Sequence, residues 1–153
     1  MNRFAFPITL ETQQNGWILV SYPDVPEALT EGETKQEALE EAQDCLICAL
    51  GGYIAKGWPI PVPSAAESDA IAELPEDVTL KLSLYTQMLQ RNISPAMLAK
   101  RVGRTEAWVG QLLDLDELAS PTQLGEAINA LSEAARRQSS ELKVKAEGLS
   151  RSA

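Results

Sequence analysis

Apolar residues alternate at the start of this chain. Phe4, Phe6, Ile8 and Leu10 fall on one side of an extended segment, as in a half-buried β-strand. A second such run, Trp17 to Tyr22, follows Asn15-Gly16. Asn-Gly between two strand-like runs predicts a tight hairpin turn, because both residues tolerate positive φ. Pro23 and Pro26 end the second strand and leave Asp24 and Glu27 on a turn, after which Ala28 to Glu33 can form a third strand. The period then changes. Thr34-Lys-Gln-Glu37 is a capping box, and Ala38, Leu39, Ala42, Cys45, Leu46, Ala49, Leu50 and Tyr53 recur at three- and four-residue steps, the stripe of a helix laid on a sheet. Glu37, Glu40, Glu41 and Asp44 occupy its opposite face, Gly51-Gly52 weakens its last turns, and Gly57 is the expected stop. Trp58-Pro-Ile-Pro-Val-Pro63 reads as a stiff connector. Asp69 to Leu74 reads as a fourth strand, although Ala-Ile-Ala fits a helix equally well.

The second half is helical throughout. Val78, Leu80, Leu82, Leu84, Tyr85, Met88 and Leu89 mark an amphipathic helix over Glu76 to Arg91, and Ser94 caps the next one, with Pro95 at its first position. Leu98, Ala99, Val102, Gly103, Val109 and Leu112 are spaced as in a helix-turn-helix. There a small residue lets the helices cross closely, a glycine makes the turn and two apolar residues anchor the second helix on the first. Arg104 departs from that pattern, which often has a hydrophobic residue after the turn glycine. Thr105 caps the second helix and sends Glu106, Ala107, Gly110 and Gln111 toward a major groove. Gln111 is the candidate for reading a base edge, Lys100, Arg101 and Arg104 are candidates for phosphate contacts, and Trp108 reads as a packing or subunit contact rather than a base contact. Ser120-Pro-Thr-Gln123 opens a further helix through Leu124, Ala127, Ile128 and Leu131. Beyond about residue 137 little apolar surface remains, and a flexible tail is expected.

Charge divides the two halves. The 153 residues carry a net −9. Residues 1–70 hold 3 basic and 11 acidic groups, a net −8, and the remainder 10 and 11, a net −1. The front therefore suits a basic partner, and the back binds DNA well only as an oligomer reading two half-sites. No signal-peptide core and no apolar stretch of about 18 residues occurs, so the chain reads as cytoplasmic, without a membrane partner. There is no histidine. Two cysteines, Cys45 and Cys48, cannot close a tetrahedral metal site, and they lie inside a helical pattern rather than at a helix start, so both read as buried on that helix. No metal or other cofactor is expected. A two-Mg²⁺ nuclease needs converging carboxylates, and Asp24 and Glu27 share one turn while the helix acids face solvent. The chain is not expected to be an enzyme.

Arg3-Phe-Ala-Phe-Pro-Ile-Thr-Leu, Tyr22-Pro-Asp-Val-Pro-Glu-Ala-Leu-Thr-Glu-Gly-Glu-Thr34, Glu37-Ala-Leu-Glu-Glu-Ala42 and Ile60-Pro-Val-Pro-Ser64 together resemble the HicB antitoxin family, with a likeness that runs over about residues 3–131. The Gly51-Gly52 pair departs from it, since bulkier residues are expected there. The resemblance implies an α+β chain: a β-β-β-α-β, pared-down ribonuclease H-like domain over residues 1–74, an all-α helix-turn-helix domain over 75–137 and a tail over 138–153. It also implies a partner, a small basic toxin related to double-stranded-RNA-binding domains that cleaves mRNA (HicA-like). The front would occlude that toxin through Asp24 and Glu27, and the back would bind operator DNA as a homo-oligomer and repress the protein's own operon. The alternative is a transcription regulator whose front domain senses a small molecule.

Overall fold

The computed structural model describes residues 4–65 and 68–133; the expected tail over 138–153 lies outside them. Four strands form one antiparallel sheet in the order β3-β2-β1-β4: β1 Phe6–Thr12, β2 Ile18–Ser21, β3 Leu29–Gly32 and β4 Ala70–Ala72. With five helices among the described residues, the chain is α+β. The β1–β2 hairpin turns tightly at Asn15-Gly16 as expected, but without positive φ at both residues. The Gln13 carbonyl accepts from Gly16 N–H, Gln13 N–H donates to the Trp17 carbonyl, and of the two expected residues only Gly16 has positive φ, at 88°. This is the three-residue loop in which a left-handed glycine follows a tight turn. The Asn15 side chain accepts from Trp17 N–H rather than supplying a second left-handed residue. β4 resolves the strand-or-helix ambiguity of Ala-Ile-Ala, because it pairs with Phe6–Ile8 while Asp69 donates its N–H to the Ile8 carbonyl and accepts from Leu10 N–H.

α1, Lys35–Lys56, lies on one face of the sheet. Its start follows the capping box: the Thr34 hydroxyl accepts from Glu37 N–H, and the Glu37 carboxylate accepts from Glu33 N–H. Ala38, Ala42, Leu46 and Leu50 are buried with Phe6, Ile8, Val20 and Tyr22, whose hydroxyl donates to the Ala42 carbonyl at 2.7 Å. Small residues set the helix close to the sheet. A Cβ at Gly32 would stand 2.5 Å from Ala38 N, so β3 can meet the first turn of α1 only as glycine. The helix runs through Gly51 and Gly52 and stops at Gly57 (φ 70°), with Gly57 N–H donating to Ile54 O and Trp58 N–H to Tyr53 O, the pairing of a left-handed helix stop. Burial on α1 was expected for both cysteines. Cys45 is half-buried and Cys48 is exposed, because over 22 residues the apolar stripe stays on positions 42, 46 and 50 and leaves 48 on the far side.

The second half holds α2 Glu76–Gln90, α3 Pro95–Val102, α4 Glu106–Leu113 and α5, residues 121–133. α2 serves two cores. Val78 and Leu82 pack with the sheet and α1, whereas Leu84, Tyr85 and Met88 pack with Leu98, Val109, Leu112, Leu124 and Leu131. Leu115, just past α4, returns to the sheet-side core. Between the two cores Lys81 is fully buried, and its Nζ donates to the carbonyls of Asp114 and Glu117. Burial lowers the Lys81 pKa, and Asp77, Asp114, Glu117 and Asp116 oppose that shift.

Candidate functional site

Two regions hold the residues singled out from the sequence. On the front turn, Asp24 is half-buried and its Oδ2 accepts from Ser64 N–H at 2.9 Å and from Ser64 Oγ at 3.1 Å. Glu27 is exposed, and its Oε2 accepts from the Tyr53 hydroxyl at 2.6 Å. That bond holds the Glu27 carboxyl below its usual value and pushes the Tyr53 phenol up to about 12. Asp24 thus ties the turn to the proline-rich connector, and Glu27 ties it to α1. The clasp extends further: Tyr53 meets Trp58 edge-on at 5.6 Å, Lys56 Nζ stands 4.4 Å from the Trp58 ring centroid, and Tyr85 donates to the Trp58 carbonyl. The structure therefore gives both acids internal partners, Ser64 and Tyr53, that lie 40 and 26 positions away in the chain. No local pattern pointed to either pairing. Glu37, Glu40, Glu41 and Asp44 are exposed along α1. Among the described residues, no group of three or more His, Cys, Asp or Glu could hold a metal ion.

The second region is the α3–α4 pair, whose local geometry follows the caps. Ser94 Oγ accepts from Met97 N–H with Pro95 in the first turn, Gly103 is left-handed at φ 68°, and Thr105 Oγ1 accepts from Trp108 N–H. Three residues separate the two helices. Leu98, Ala99, Val109 and Leu112 are buried between them and their neighbours, while Glu106, Ala107, Gly110 and Gln111 form one exposed arc of α4. Lys100 and Arg101 are exposed at the end of α3. Arg104, the residue that departs from the apolar pattern, lies with its guanidinium 5.2 Å from the Trp108 ring centroid and 3.6 Å from Glu126 of α5. Trp108 is half-buried against the helical core, so it packs. Thr105 is engaged as a cap, so of the candidate contacts Lys100, Arg101, Glu106 and Gln111 stand open. Gly110 also lines a cleft of about 310 Å³ that α4 shares with Ile47, Cys48, Gly51 and Ile54 of α1.

A family model described as HicB_like antitoxin of bacterial toxin-antitoxin system matches residues 5–83. The chain belongs to that family. Among HicB relatives, Antitoxin HicB 2 of Photorhabdus laumondii is 36% identical over 126 residues, which cover 82% of this chain and 89% of the relative. Antitoxin HicB of Escherichia coli is 39% identical over 111 residues, covering 72% and 80%, and that of Pseudomonas fluorescens is 34% identical over 112 residues, covering 71% and 77%. This HicB chain is therefore an antitoxin of a toxin–antitoxin system, and a toxin is its implied partner. No helix among the described residues is long and apolar enough to cross a membrane.

Proposed function

We propose that the chain neutralises a small basic ribonuclease toxin by covering it with the acidic front, and that α3 and α4 act as a helix-turn-helix that represses the protein's own operon. The observation that carries the second part is the open arc of α4, Glu106, Ala107, Gly110 and Gln111, flanked by Lys100, Arg101 and Arg104. A short helix that exposes a neutral amide and follows a run of exposed cations suits base reading with phosphate anchoring. Gln111 is proposed to read a base edge, and Lys100 and Arg101 to neutralise phosphates. Arg104 is proposed to do the same from its place on Trp108, while Thr105 fixes the start of α4. The back half carries so little net charge that a homo-oligomer spanning two half-sites is needed for tight binding.

For the front, the net −8 of residues 1–70 supports occlusion of a basic partner, with no catalytic step by the antitoxin itself. Asp24 and Glu27 contribute to that negative field. Their carboxylates already accept from Ser64 and Tyr53, which leaves each less to gain from a new cation.

The test is twofold. Growth rescue is measured by co-expressing the full chain with the short protein encoded in the adjoining reading frame. Operator binding is measured on DNA upstream of the pair. Rescue is expected, as is sequence-specific binding that Gln111→Ala relaxes and Arg101→Ala weakens across all sequences. A toxic neighbour that the chain does not relieve would overturn neutralisation, and wild-type behaviour of both variants on operator would overturn the assignment of α4.

A further inference from the structure

The face of the sheet opposite α1 is defined by the strand register. Thr9, Ser21 and Leu29 form one row across β1, β2 and β3; Glu11, Leu19 and Glu31 form the next; and Ile71 on β4 stands beside buried Pro7. Leu29 and Ile71 are 58% and 61% exposed. They sit on the two edge strands with the small hydroxyl side chains of Thr9 and Ser21 between them, so the face carries apolar groups at both sides of a shallow centre about 14 Å wide. Trp17 and Leu19 are half-buried at one end of it. The charge on this face has one sign: the four strands contain Glu11 and Glu31 and no lysine or arginine.

Exposed apolar side chains on the same face as unpaired acidic ones make a surface suited to a protein partner. The other acidic surfaces are less open to a partner. The acids of the front turn are engaged by Ser64 and Tyr53, and α1 exposes Glu37, Glu40, Glu41 and Asp44 but no large apolar side chain. A second copy of this chain would place Glu11 and Glu31 against their own kind, so the fitting occupant carries the opposite charge.

We infer that the outer face of the sheet is the surface on which the toxin docks, with Leu29 and Ile71 as apolar anchors and Glu11 and Glu31 paired with basic side chains of the partner. This rests on the antitoxin reading and adds to it the place of contact. The toxin then lies against the strands, on the far side of the sheet from α1.

The experiment measures binding of the short protein encoded in the adjoining reading frame to the immobilised full chain, as wild type and as three double variants. Leu29→Arg with Ile71→Arg is expected to weaken binding by roughly thirtyfold or more, the loss typical of buried interface anchors. Glu11→Lys with Glu31→Lys is expected to slow association by about tenfold and to flatten its salt dependence. Glu40→Lys with Asp44→Lys on α1 removes the same net charge, and its association rate is expected to stay closer to wild type. Hydrogen exchange on the unaltered complex gives a readout free of any folding defect: amides of β2 and β3 should slow on binding, and the exposed face of α1 should not. Wild-type binding retained by both outer-face variants, or protection confined to α1, overturns the docking surface while leaving the antitoxin reading intact. A wild-type chain that does not bind the neighbour overturns both, and self-association through the outer face, abolished by Leu29→Arg, overturns the choice of occupant.

Discussion

The hydrogen bond from the Tyr53 hydroxyl to Glu27 moves two protonation equilibria in opposite directions. It holds the Glu27 carboxyl below its ordinary 4.5 and lifts the phenol from 10.0 to about 12. A carboxyl depressed in the folded state contributes stability above its unfolded value and loses it as pH falls through the folded one. A raised phenol contributes below its unfolded value and loses it as pH rises through the folded one. The stability gap between wild type and Tyr53→Phe is therefore expected to be full between 4.5 and 10.0. It should close below the Glu27 value and again as pH passes about 12, which urea unfolding across pH would show. Lys81 is the other residue whose role depends on distant partners. Lys81→Met keeps the aliphatic stem but leaves the carbonyls of Asp114 and Glu117 without their buried donor. The loss should be about 2 kcal/mol, as for a hydrogen bond to a charged group, read from the denaturation midpoint at unchanged slope.

The elements answer differently to the same substitution at two glycines. Gly32→Ala forces a methyl toward backbone at 2.5 Å and should destabilise by about 1–3 kcal/mol, as overpacking does. Gly51→Ala, inside α1 with nothing within 4 Å of the added carbon, should stabilise by about 1 kcal/mol through helix propensity. Thermal melts of the two variants displaced in opposite directions would verify both the tight seat of α1 and the openness of its second half. Much of this element plan was legible in the sequence. Thr34, Ser94, Thr105 and Ser120 each cap the helix they precede, and Gly57 and Gly103 each end one, because caps are local chemistry within four residues. Legibility ended where partners are distant. Ala70–Ala72 is a strand because β1 lies beside it, which its own composition does not specify. Cys48 is exposed because the buried stripe of α1 stays on positions 42, 46 and 50, and the engagement of Asp24 and Glu27 depends on residues brought in by the fold. The candidate contacts on α4 were readable for the opposite reason, since their exposure follows from one helical turn.

For the molecule as a whole, α2 contributes Val78 and Leu82 to one core and Leu84, Tyr85 and Met88 to the other, and Leu115 comes back to the first. Shared burial of this kind couples the halves into one cooperative unit. A fragment ending at residue 74 loses Val78, Leu82 and Leu115 from the sheet-side core. It should unfold at lower denaturant than the full chain, which itself should show one transition by tryptophan fluorescence and by circular dichroism alike. Two separated transitions in the full chain would reject the coupling.

The place of Leu115 also constrains recombination among antitoxins. A chimaera that takes new α3, α4 and α5 helices from a relative inherits the stranger's α4–α5 loop, and with it whatever side chain must take the place of Leu115 in the core that holds Val78 and Leu82. Exchange is therefore tolerated only between chains that agree at a handful of buried positions on both sides of the junction. On the proposed function, specificity for DNA and specificity for toxin are then expected to diverge together rather than be shuffled freely.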